Sequence, residues 1–244
     1  MMTEATFTEK FRSILTANSL EAYASDSLAA SFFKLTERML AVNEYMNLTA
    51  ITDVDEVILK HYADSLTVSQ HIPEGSSLID VGCGAGFPSL VLAIARPDLR
   101  ITALDSTAKR INYIKETADI LSLSNITCIS ARAEELAHDL HYREKYDVAC
   151  ARAVARLNVL CELCIPYVRP GGRFIAMKAN ADEEIAEART AIETLGGHLA
   201  DAERFNLISK GEGEEPRCII TVKKVASTRN IYPRNNSQIK KKPL

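Results

Sequence analysis

Apolar residues recur at two different periods along this chain, and the change falls near residue 73. Before it, Phe32, Phe33, Leu35, Met39, Leu40 and Val42 are spaced as on one face of a helix, and no β-rich run interrupts them. Thr52-Asp53-Val54-Asp55-Glu56 reads as a helix start, with capping side chains followed by first-turn acids. Pro73-Glu74-Gly75-Ser76 is a turn cluster. Beyond it, strands are predicted at 77–81, 101–105, 126–130, 146–150 and 173–178, with helices at 88–96, 107–122, 133–140 and 156–168 between them. In the second of these helices Ile111, Ile114, Ala118 and Leu121 point inward, and Lys109, Arg110, Lys115 and Glu116 point outward. Pro170-Gly171-Gly172 reads as a turn before the fifth strand. A helix at 182–195 stops at Gly196-Gly197, Glu212 to Pro216 reads as a hairpin, and Arg217 to Val222 as a final strand. Alternation of this kind predicts an α/β fold, a mostly parallel sheet wrapped by helices. The expected organisation is a helical extension over 1–72, an α/β domain over 73–225 and a tail over 226–244.

The first strand, Leu78 to Val81, runs directly into Gly82, Gly84 and Gly86. A strand that re-enters as a helix through glycines lets backbone approach a ligand closely. About twenty residues on, the second strand ends in Asp105, placed to accept hydrogen bonds from both hydroxyls of a ribose. The dinucleotide fingerprint spaces its glycines G-x-G-x-x-G, whereas here they stand at alternate positions, with Asp80 two residues upstream. A carboxylate there repels a pyrophosphate and attracts a cationic amino-acid moiety, which favours S-adenosylmethionine over NAD. A nicotinamide-dependent oxidoreductase and an RNA-binding module that keeps an empty nucleoside pocket remain the rivals at this level.

Composition narrows the class. The 244 residues are 47% hydrophobic and 25% charged, ordinary for a globular protein. No apolar run reaches the roughly 20 residues of a membrane span, and Met1 to Lys10 has no signal-peptide pattern, so a cytoplasmic protein is expected. Six irregularly placed cysteines suit packing in a reducing compartment; Cys161-Glu162-Leu163-Cys164 lacks a partner pair, and no metal site is expected. Cys83 is read as packing within the glycine turn. The net charge of −3 hides an asymmetry. Residues 223–244 hold seven basic side chains and no acidic one, leaving 22 basic against 32 acidic residues elsewhere. Such a tail is either a solvated end or a face for a polyanion.

Asn47-Leu48-Thr49-Ala50-Ile51, Lys60-His61-Tyr62-Ala63-Asp64-Ser65-Leu66, Asp80 to Pro88, Lys109-Arg110, Ala131 to Glu135, Ala151 to Ala155, Pro170-Gly171-Gly172 and Met177-Lys178 occur in that order. Together they resemble the bacterial ribosomal RNA small-subunit methyltransferase G family, also called glucose-inhibited division protein B. The likeness extends from about Asn43 to the C-terminus. It implies a class I S-adenosylmethionine-dependent methyltransferase: a Rossmann-like, seven-stranded sheet whose last strand is antiparallel, behind an N-terminal helical extension. It also implies methylation of N7 of a guanine in 16S ribosomal RNA, with the RNA, the small subunit or an assembly intermediate as partner. A monomer is expected.

Carried over by position, Gly82 and Phe87 line the cofactor pocket, Ala133-Glu134 frames the adenine, and Arg152 faces the transfer centre as the catalytic residue and is expected to contact the cofactor as well. Methylation of another RNA position or of a protein is the nearer alternative. The fourth strand has neither the Asn/Asp-Pro-Pro-Tyr of amine methylation nor the Pro-Cys of pyrimidine carbon methylation. Phosphate contacts are expected from Arg152, Arg156, Lys178, Arg229, Arg234, Lys240, Lys241 and Lys242, with Lys60 and His61 as further RNA partners. Two positions depart from the family pattern: Ala179 after Lys178, and Asn235-Asn236 after Pro233-Arg234.

Overall fold

The computed structural model describes residues 2–152, 155–209 and 213–244. Five parallel strands, β1 (Ser77–Val81), β2 (Arg100–Asp105), β3 (Ile126–Ser130), β4 (Tyr146–Arg152) and β5 (Val168–Lys178), join β6 (Gly197–Ser209) and β7 (Gly213–Lys224) in the order β3-β2-β1-β4-β5-β7-β6. Only β7 runs against the rest, antiparallel to both β5 and β6. The order reverses between β1 and β4, and the crevice at the carboxyl ends of those strands is where ligands bind in sheets of this kind.

Helices cover both faces. On one, α5 (Ser89–Ala95) and α6 (Ala108–Ile120) share an apolar cluster with α1 (Glu4–Ala17) and α2 (Asp26–Met46). Phe7, Phe11 and Phe32 stack in series, and Phe32 lies 4.8 Å from Tyr62, whose hydroxyl shares a 2.7 Å hydrogen bond with that of Thr36. The extension is thus built into the same core as the sheet. On the other face lie α7 (Ala133–Leu136), α8 (Leu157–Cys164) and α9 (Asp182–Thr194).

Between α3 (Val54–Val57) and α4 (Asp64–Thr67), residues Ile58–Ala63 form a π-helical turn. Such wide turns are rare and recur at functional sites. This one carries Lys60 and His61.

The tail is packed, not free. Arg143 donates to the carbonyls of Thr228 at 2.8 Å and Tyr232 at 2.9 Å, and His138 Nε2 lies 2.8 Å from the Pro233 carbonyl. The fully buried Glu162 takes three bonds from Arg234, the shortest 2.6 Å. A buried carboxylate needs such a partner, which fixes the strap and leads α10 (Asn236–Lys241) onto α8. Lys224, counted above among the tail charges, is buried between Glu144 and the Ile165 carbonyl; burial lowers its amine to about 8.

Three expectations change. Pro170-Gly171-Gly172 lies inside β5 as a bulge, where the β4 partner jumps from Val168 to Arg173. Gly171 has φ +89°, and a Cβ on Gly172 would lie 2.5 Å from the Asp147 carbonyl. The helix at 133–140 is a single turn, α7. Gly213 to Pro216 belong to β7, paired with Ser209 to Asn206 of β6, and are strand and not turn; Glu212 is outside the described residues.

Candidate active site

The carboxyl ends of β1 to β4 open onto a cleft of about 510 Å³. Val81 and Gly82 close its floor. The Gly82 and Cys83 N–H groups bond the Leu104 carbonyl at 2.8 and 3.0 Å, which welds the glycine turn to the end of β2. Gly82 and Gly84 both have positive φ, and a Cβ on Gly84 would meet nothing closer than 4.0 Å. Backbone conformation, not crowding, therefore demands glycine there. Gly86, with φ +89°, adds crowding to conformation, since a Cβ there would lie 2.6 Å from the Leu90 side chain, and it does not line the cleft.

Asp105 is buried, yet its carboxylate reaches the cleft wall. Oδ2 accepts from Gly84 N at 3.1 Å and Oδ1 from Thr107 N at 2.8 Å, so both oxygens are aimed by backbone. Each keeps lone-pair capacity for a ribose hydroxyl. Ala133 and Glu134, at the start of α7, line the same end, and Tyr167 holds the Ala133 carbonyl through a 2.7 Å bond.

At the opposite end His61 stacks on Phe87, with ring centroids 4.3 Å apart and planes within 8°. The Arg152 guanidinium sits 5.5 Å over the Phe87 ring. Its Nη1 donates to the Lys60 carbonyl at 2.8 Å and to Asp64 Oδ2 at 3.1 Å, and its Nη2 approaches His61 Nδ1 at 3.4 Å. Asp64 also pairs with Arg217 at 2.9 Å, Arg217 with Glu215 at 2.9 Å, and Glu215 with Lys60 at 3.1 Å. This relay ties the π-turn to β4 and β7 and fixes Arg152 in place.

The cleft satisfies what S-adenosylmethionine asks of a site. Asp105 offers an aimed carboxylate and the Gly82–Gly84 turn a backbone cradle, with Ala133 and Glu134 lining the same end. Residues 29–209 match the family model described as rRNA small subunit methyltransferase G. The chain belongs to the rRNA small subunit methyltransferase G family. Relatives carrying that name include one from Acetivibrio thermocellus, 43% identical over 90% of each chain. Another, from Lachnoclostridium phytofermentans, is 46% identical over 83% of this chain and 84% of its own. Among solved structures, M. jannaschii TYW2 in complex with AdoMet (S-adenosylmethionine) superposes with a TM-score of 0.53 at 15% identity, covering 66% of this chain and 75% of that one. At that identity the likeness shows the class I fold.

Several residues that the family resemblance and the spacing had nominated stand elsewhere than expected. Asp80 is fully buried beneath the glycine turn and does not line the cleft; its Oδ2 accepts from Ser89 N at 3.1 Å and its Oδ1 has no partner. Burial pushes its carboxyl from 3.8 up to about 7. The folded state thus holds this proton more tightly than the unfolded chain does. Stability contributed by the protonated form is lost as pH rises from about 4 toward 7 and then levels off. Asp80→Asn removes that slope: its melting temperature is expected to gain on wild type from pH 4.5 to 7.5, and parallel profiles would show Asp80 to be ionised throughout.

His61 cannot serve as a cation for phosphate. Burial, with the nearby Arg152 charge, lowers its pKa to about 3, so it is neutral. Lys178 is half-buried against Glu184 (2.8 Å), Arg156 is bound to Glu187 (2.6 Å), Arg234 to Glu162, and Lys60 to Glu56 and Glu215. Those cations are already engaged. Arg229, Lys240, Lys241 and Lys242 are exposed and carry no ion pair among the described residues; Lys240 and Asn236 line the cleft. Arg110 and Arg132 also line it, each near a carboxylate, and were not assigned a site role from sequence. Leu48 and Thr49 stood among the family landmarks without a role, and both face the cleft. The Ala153-Val154 part of its motif lies outside the described residues.

Proposed function

We propose that this protein transfers a methyl group from S-adenosylmethionine to N7 of one guanine in 16S ribosomal RNA. The observation that carries the reading is a two-ended cleft, with Asp105 at one end and the Phe87–His61–Arg152 cluster at the other, in a member of this methyltransferase family. Bound at Asp105 and the glycine turn, the cofactor supplies an electrophilic methyl group on a sulfonium.

The chain's own residues then have a limited task. Guanine N7 presents an in-plane lone pair and carries no proton, so no general base is required. The work is positioning, bringing N7 into line with the methyl group. A base inside the RNA must be unstacked to enter, and the paired rings of His61 and Phe87 give it an apolar wall. Arg152 has N–H groups left without a partner among the described residues and can hold the incoming nucleotide. Arg110, Arg132, Lys240 and the neighbouring Lys241 and Lys242 supply the positive rim for RNA phosphates.

The enzyme acts as a monomer in the cytoplasm. In support, no helix among the described residues is long and apolar enough to cross a membrane. The large exposed apolar side chains, such as Tyr45, Ile120, Leu140 and Val225, are scattered along the sequence.

The deciding experiment incubates purified protein with labelled S-adenosylmethionine and ribosomal RNA or small subunits, then maps product by chemical cleavage at 7-methylguanosine. One cleavage site in small-subunit RNA is expected. Label recovered only in protein, or at several unrelated guanines, overturns the assignment.

A further inference from the structure

The hydroxyl of Thr49, in the cleft wall, is held by two hydrogen-bond contacts. Its oxygen accepts the Ile51 backbone N–H at 3.0 Å, since a backbone N–H can only donate. The same oxygen lies 2.9 Å from His61 Nε2, where the direction depends on which imidazole nitrogen carries the proton. The other nitrogen, Nδ1, faces Arg152 Nη2 at 3.4 Å, and a guanidinium has donors only. The Lys60 carbonyl, the backbone acceptor near His61, is already engaged by Arg152 Nη1 at 2.8 Å, whereas Nδ1 has the Arg152 Nη2 donor directed at it. We therefore assign the His61 proton to Nε2, directed at Thr49. His61 is buried and flat against Phe87, so the ring cannot turn to relieve this arrangement.

A threonine hydroxyl has two lone pairs and one proton. With both lone pairs taken, by Ile51 and by His61, Thr49 can only donate. No acceptor among the described residues receives that proton, and Thr49 lines the cleft at the end away from Asp105. The arrangement Arg152–His61–Thr49 converts a hydroxyl, normally indifferent to polarity, into a fixed donor.

Resting on the guanine-N7 reading above, we propose that Thr49 is a specificity-determining residue that donates its hydroxyl proton to O6 of the target guanine. The chemistry fits the base. On the edge that carries N7, guanine shows two acceptors, N7 and O6, whereas adenine shows the N7 acceptor beside the N6 amino donor. Delivering N7 to the methyl group places the six-position substituent alongside. O6 meets a donor there; an adenine amino group meets a donor with no lone pair to spare. A site built to hydrogen-bond one group rejects the analogue that leaves it unpaired.

The test is a double-mutant cycle between enzyme and base. The RNA substrate carries either the target guanine or 2-aminopurine, which keeps N7 and has hydrogen in place of O6. Wild type is expected to lose about tenfold in kcat/KM on the analogue, the scale of one hydrogen bond. Thr49→Val is expected to lose about tenfold on guanine and little more on the analogue, so that the two losses do not add. Thr49→Ser, which keeps the hydroxyl, restores guanine activity. Cofactor affinity measured by calorimetry stays unchanged in both variants.

Additive losses overturn the proposal, as does equal use of the two RNAs by wild type, or a fall in cofactor affinity that accounts for the Thr49→Val defect. Nitrogen chemical shifts placing the His61 proton on Nδ1 overturn it too. If Thr49→Val does not fold, the wild-type comparison and the His61 shifts decide alone. Wild type that makes no 7-methylguanosine refutes the parent reading instead, before any variant is made.

Discussion

Arg152→Ala is expected to lower methyl transfer by about a hundredfold or more, the scale on which removal of a single preorganised donor acts. The side chain is three-point anchored, by the Lys60 carbonyl, Asp64 and the face of Phe87, and is 16% exposed. Nothing else in the cluster can replace it: His61 is neutral, and Lys60 is turned toward Glu56 and Glu215. In the proposed reading Asp105 and Glu134 hold the cofactor's ribose and adenine across the cleft, so cofactor affinity is expected to change only a few-fold. Methyl incorporation measured beside calorimetric titration separates the two. A variant with normal turnover removes Arg152 from the transfer centre, and one that loses cofactor in proportion to activity moves it to the cofactor's side.

Asp105→Ala has the opposite signature. Hydrogen bonds to a charged acceptor contribute ~1.5–3 kcal/mol each, and two ribose hydroxyls are at stake, so the dissociation constant for S-adenosylmethionine should rise by at least about a hundredfold. The carboxylate also orients Gly84 N and Thr107 N, so its loss loosens the cradle itself. At saturating cofactor the variant should recover much of its turnover. An unchanged dissociation constant would place the ribose elsewhere and would leave Asp105 as a clasp for the glycine turn.

How far the sequence carried these conclusions depends on the range of the interaction concerned. β1 and β3 match their expected bounds to the residue, because short apolar runs there are punctuated by turn residues at both ends. The strand Gly197–Ser209 was implied by the seven-strand count and the hairpin but was given no bounds. It is the sheet's edge, most of its side chains are at least partly exposed, and its sequence shows no apolar run to mark it. Three successive strand ends form one end of the cleft, where Gly82, Gly84 and Asp105, singled out for following β1 and β2, stand together with Glu134, which the family resemblance supplied. The state of the cationic residues was not legible. Lys178 meets Glu184, Arg156 meets Glu187 and Arg234 meets Glu162, and in each case a carboxylate on a different element decides whether the charge is free. Sequence reports a side chain's charge but not what already neutralises it. Thr49 shows the same limit in another form: its role arises from His61 and Arg152, brought beside it by the fold.

The wide turn at Ile58–Ala63 holds more residues per turn than the helices on either side. A regular α-helix advances about 100° per residue, so deleting one residue from this segment would swing everything on one side of it by roughly that angle. His61 and Lys60 would leave Phe87 and Arg152 together. One wall of the crevice is therefore set like a gear tooth. Substitutions along it can be absorbed by neighbouring side chains, but a change in its length cannot, and insertions or deletions should be scarce between Val57 and Asp64 wherever the activity is kept.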